Sequence, residues 1–134
     1  MSVRGFGRLL ARFLKTKRAM DILRSYDFDE WGSGGCWILA AALKKLIGHE
    51  AELFYVGSPM GVEHVVVKVG RLYLDQDGGS TGPELKEKLG LKDSFIAPFE
   101  KRAQRTASGG GTYCPIDAVD DLWLALAEQF GVPT

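Results

Sequence analysis

The sequence predicts an α+β fold, and three observations carry that reading. Apolar residues at helical spacing open the 134-residue chain, an alanine- and leucine-rich run fills residues 36–47, and three short β-type runs follow between residues 51 and 75. A second apolar helical stripe closes the chain at residues 117–130, so helices flank a small sheet on both sides of the sequence. With 46% hydrophobic and 25% charged residues the composition is that of an ordinary globular protein, which excludes a disordered or collagen-like chain. The length suits one domain with one core, spanning residues 1–134.

In the first segment, residues 6–23, Phe6, Leu9, Leu10, Phe13, Leu14, Ala19, Met20 and Leu23 form one apolar stripe. Residues 1–24 also hold seven basic residues against the single acid Asp21, while the chain as a whole has zero net charge. This basic amphipathic helix is expected to lie on its own acidic domain, with partner contact as the alternative use of its surface. Residues 27–35 (DFDEWGSGG) are acidic and then glycine-rich, the composition of a loop. The helix that follows is expected to be central and buried, because only Lys44 and Lys45 are charged within residues 36–47. Ser33 is the expected N-cap and Gly48 the stop, which puts Cys36 in the first turn.

Residues 51–56, 64–69 and 71–75 read as strands, the last two joined at Gly70 as an antiparallel hairpin. Residues 75–82 read as a loop, and residues 83–89 as a short helix with proline at its first position and Gly90 beyond its end. Residues 94–99 form a fourth strand, which Pro98 confines to an edge. Residues 107–115 form a glycine-rich loop containing Cys114, and the final helix begins with Asp117 as its cap.

Chemistry concentrates on Cys36, His64 and Asp75. A thiolate is the nucleophilic form of cysteine, and the free N–H groups at a helix N-terminus favour it. Gly34 and Gly35, just before the thiol, would let a substrate backbone approach. A hairpin turn centred between Val69 and Gly70 puts His64 directly opposite Asp75, Val66 opposite Tyr73 and Lys68 opposite Arg71. Val65, Val67, Leu72 and Leu74 then share the other, apolar face, which packs on the core. A carboxylate so placed can fix the tautomer and orientation of the imidazole, leaving its other nitrogen for the Cys36 proton. A shifted register would put Asp77 in the place of Asp75.

The segments GSGGCWILAAAL, EHVVVKV and RLYLDQDG, within residues 31–81, resemble the papain-like fold in its transglutaminase-like and NlpC-type versions. The resemblance implies Cys36 as nucleophile on a central helix packed on a small antiparallel sheet, His64 as general base and then acid, and Asp75 as its orienting partner. It further implies a hydrolase or acyltransferase acting on an amide or peptide bond of a protein or peptide substrate through a thioester, without a cofactor. The family's glutamine before the cysteine is missing here; Trp31, Ser33 and the backbone at Gly35 and Cys36 are the candidates to bind the oxyanion or substrate.

The competing readings are a metal site and a non-catalytic module. Cys, His and Asp can all ligate zinc, but no compact ligand pair is present, so no metal is expected. Nucleic-acid binding is not expected, since interleaved aromatics and a recognisable motif are missing from the basic helix. A module of the same fold acting as inhibitor or adaptor remains the alternative. The longest nearly uncharged stretch, residues 31–43, has 13 residues, short of the about 20 needed to span a bilayer. Arg4, Arg8 and Arg12 interrupt what would be the apolar core of an export signal, so a cytoplasmic setting is expected.

Overall fold

The computed structural model describes residues 2–32, 34–99 and 115–131. Among the described residues, five α-helices and a five-stranded antiparallel sheet form a mixed α+β architecture. The N-terminal stripe is divided into α1 (Val3–Phe13) and α2 (Lys17–Ser25), not one continuous helix. Thr16 causes the break: its side chain accepts from the Ala19 N–H, giving α2 an N-cap of its own. Most of the stripe is nonetheless buried, with Leu10, Leu14, Ala19 and Leu23 at most 1% exposed, while Leu9 is 39% exposed. A mainly basic outer face is what remains for a partner. Part of that face is engaged as well, by Arg4 with Glu84 and Arg18 with Glu128.

Helix α3 (Cys36–Ile47) runs through the centre, with Ile38, Leu39, Ala40, Ala42 and Leu43 buried. Gly48, at φ 88°, ends it. The final helix, α5 (Ile116–Phe130), lies along α3; its N-cap is Pro115, and Asp117 falls inside the first turn. Lys45 joins the two, bonding Asp120 at 2.7 Å and lying 4.1 Å over the Trp123 ring.

The sheet order is β4-β3-β2-β1-β5, with β1 Ala51–Ser58, β2 Gly61–Val69, β3 Leu72–Asp75, β4 Gly78–Ser80 and β5 Phe95–Pro98. Strand β5 is at an edge, as Pro98 requires. Both faces are covered. Val65, Val67 and Leu74 join the main core around α3, while Val56 and Val66 pack with Leu85 of α4 (Gly82–Leu89).

Two features of the sheet correct the sequence reading. The β2–β3 hairpin pairs Val69 with Leu72 and Lys68 with Tyr73, two residues from the expected register. Gly70, at φ 63°, takes the first central position of the turn, where a primed turn demands positive φ. The like-charged pairing of Lys68 with Arg71 is thereby avoided, and the Lys68 ammonium lies 5.3 Å from the Phe54 ring centroid. Residues 78–80, read as loop, form β4. The glycines that hid this strand permit α1 to cross it, since a Cβ on Gly7 would lie 2.7 Å from the Gly79 nitrogen and 3.1 Å from the Gly78 carbonyl carbon. Gly7→Ala should therefore destabilise the fold by about 1–3 kcal/mol through overpacking, where alanine at an open helix position stabilises; urea unfolding followed by circular dichroism measures the difference.

Candidate functional site

Cys36 is the first residue of α3, and the N-cap is Gly35, not the expected Ser33, so no side chain caps the helix. The first-turn N–H groups are thus left without a side-chain acceptor from the N-cap residue, and the positive end of the helix lies at the thiol. Cys36 is a free thiol, 7% exposed. It lines a pocket of about 140 Å³ between Gly32 and Gly34 on one side and the start of β2, residues 62–65, on the other.

An irregularity in β2 lies directly before His64. Val56 pairs with His64 and Gly57 with Val62, so the strand carries one extra residue between them. As a result Val62 and Val65, three positions apart, both pack against the main core, with Glu63 and His64 between them. The imidazole Nε2 lies 3.1 Å from Asp75 Oδ2, with both residues 2% exposed. In the observed register the two are diagonal neighbours across β2 and β3, not directly opposed.

Asp75 is held on every side. Its Oδ1 accepts the Asp77 backbone N–H at 2.9 Å, and its Oδ2 accepts from both His64 and the Lys88 ammonium. The register shift does not promote Asp77 to the third position, because its carboxylate turns to Lys88 and Gln76. With Nε2 engaged by Asp75, Nδ1 is the imidazole nitrogen left for Cys36, and it is buried with no hydrogen-bond partner.

The charges agree with this geometry. Burial disfavours the Cys36 thiolate, but His64 and the N–H groups of Val65 and Trp37 outweigh it and hold the thiol below its ordinary value. Burial likewise disfavours the imidazolium, yet Asp75 and Cys36 push the His64 pKa up to about 9. Asp75, against its own burial, is kept below the usual carboxylate range by His64, Lys88 and the Asp77 N–H. The set can hold a thiolate beside an imidazolium at neutral pH.

The structure brings Cys36, His64 and Asp75 together and redistributes the other candidates. The Trp31 indole N–H donates to the Leu14 carbonyl at 3.1 Å and is buried, so it is unavailable to an oxyanion. Gly35 is reserved for packing: a Cβ there would lie 2.7 Å from both the Glu30 oxygen and Leu23 Cδ1, and its N–H bonds Glu30. Gly34, at φ 87°, needs glycine for its backbone, and the Phe28 ring closes over it. Ser33 and Cys114 lie outside the described residues. Lys88 was not foreseen. Its signal was its position three residues after the buried Leu85, which puts both on the face of α4 turned to the sheet.

No family model, curated protein or solved structure matches the chain. Among the described residues no helix is long and apolar enough to cross a membrane.

Two substitutions separate structure from chemistry at this site. Asp75→Asn keeps the shape and removes the charge that favours the imidazolium, so alkylation of Cys36 by iodoacetamide at pH 7 should slow about tenfold or more, one pKa unit being a factor of ten. Trp31→Phe should cost about 1 kcal/mol in thermal or urea unfolding through the lost bond to Leu14. The same alkylation assay should leave its Cys36 rate unchanged.

Proposed function

We propose that this chain is a papain-like cysteine hydrolase or acyltransferase acting on an amide or related acyl bond. The observation that supports the reading best is the buried hydrogen bond of His64 Nε2 to Asp75, which leaves Nδ1 to the thiol at the start of α3. In this reading the Cys36 thiolate attacks the carbonyl carbon, and the first-turn N–H groups of α3 stabilise the oxyanion. The His64 imidazolium then gives its proton to the leaving amine as the carbon–nitrogen bond breaks. His64, now neutral, takes a proton from the incoming water or amine that cleaves the thioester.

The pocket of about 140 Å³ is well below the roughly 300–1,000 Å³ usual for small-molecule sites. It favours a slender acyl group, such as the end of a glutamine side chain or a glycine residue of a peptide, over a branched one. A free thiol of this kind also favours a reducing, cytoplasmic setting.

Iodoacetamide labelling across pH 5–9 with peptide mass spectrometry tests the reading, with Cys114 as internal control. Cys36 should react rapidly well below the ordinary thiol pKa of about 8.5, and His64→Ala should abolish that advantage. Incubation with glutamine- and glycine-containing peptides should then add an acyl group to Cys36, seen as a mass increase that hydroxylamine removes. A Cys36 no faster than Cys114 at every pH would sink the catalytic reading in favour of a binding module.

A further inference from the structure

The Asp75 oxygen that holds His64 serves a second cation. Lys88 arrives from the last turn of α4, its side chain 28% exposed, and its ammonium bonds Asp75 Oδ2 and lies 3.2 Å from Asp77 Oδ2. We infer that Lys88 is a positioning residue of the site, which shares the Asp75 carboxylate with His64 and so limits how firmly the imidazole holds its proton. The inference rests on the reading of Cys36, His64 and Asp75 as one catalytic set.

The charged groups around the imidazole come from every element that meets it. Cys36 faces it from α3, Glu63 precedes it at the pocket rim, Asp75 approaches from β3, and Asp77 and Lys88 stand behind Asp75. When His64 is protonated, two cations converge on a single oxygen of one carboxylate. That like-charge contact opposes the imidazolium, whereas Cys36 and Asp75 favour it. The balance suits a residue that must both take and release a proton, because an imidazole held too firmly by its carboxylate is a poor acid toward a leaving amine. Lys88 is not needed to keep the carboxylate in place. Asp75 is 2% exposed, and its other oxygen is anchored by the Asp77 N–H at 2.9 Å.

The test is an NMR titration of the His64 ring nitrogens in the wild type, Lys88→Met and Lys88→Arg, with His49 as internal reference and circular dichroism to confirm folding. Removing the charge should raise the His64 midpoint by about one pH unit, and Lys88→Arg should leave it at the wild-type value. A midpoint that stays put or falls in Lys88→Met overturns the inference, since a purely structural lysine would act that way. The difference between variants reads Lys88 whatever the absolute values. Failure of the catalytic reading shows separately, as a wild-type Cys36 without rapid alkylation at neutral pH.

Discussion

A carboxylate excluded from water sets the terms for this structure. Removing an ion from solvent costs several kcal/mol unless it is paired and hydrogen-bonded, and Asp75 is 2% exposed. Its partners come from three places: the Asp77 backbone in the turn after β3, His64 on β2 and Lys88 on α4. Each requires its own element to be seated. The β3–β4 turn must close, β2 must lie beside β3, and α4 must pack through Leu85 against Val56 and Val66. The same charge that would orient the imidazole therefore ties half of the sheet to the helix covering its second face.

The thiol is positioned from the other side by the N-terminal helices. Leu23 of α2 and the Glu30 carbonyl fill the space beside Gly35, and the Trp31 indole fastens the loop before α3 to the end of α1. Helix α1 is itself pressed onto β4 by the mutual absence of side chains at Gly7 and Gly78. The basic segment that reads as a possible interaction arm is thus part of the scaffold that sets where α3 begins. Two of its seven basic residues, Arg4 and Arg18, pair within the chain with Glu84 and Glu128.

Periodicity made much of this legible. The two-residue alternation of β2 and β3 identifies Val65, Val67 and Leu74 as one face, and the helical spacing of residues 117–130 identifies α5. Alternation cannot distinguish registers that differ by two residues, because both leave every side chain on the same face. The position of Gly70 in the turn decides between them, and that depends on the sign of a backbone angle. Strand β4 was hidden because Gly78 and Gly79 have low β propensity, and their value lies in contact with a helix some 70 residues earlier in the chain. Lys88 escaped for a related reason: its partner is set by tertiary packing, and only its spacing from Leu85 hints at its direction.

The irregularity at the start of β2 lies where the sheet meets the N-terminus of α3. By strict alternation His64 shares the face of Val66, which packs with α4, whereas Cys36 belongs to α3 on the opposite face. The extra residue, Glu63, lets both Val62 and Val65 keep the α3 side, while His64 stays paired with Val56. The two nitrogens of the imidazole are divided, Nε2 bonded to Asp75 and Nδ1 left for Cys36. The stretch around the irregularity, residues 62–65, is the part of the sheet that lines the pocket at the start of α3. The cost of the irregularity is one lost ladder position beside Gly57, where a glycine already admits the Phe95 and Tyr55 rings.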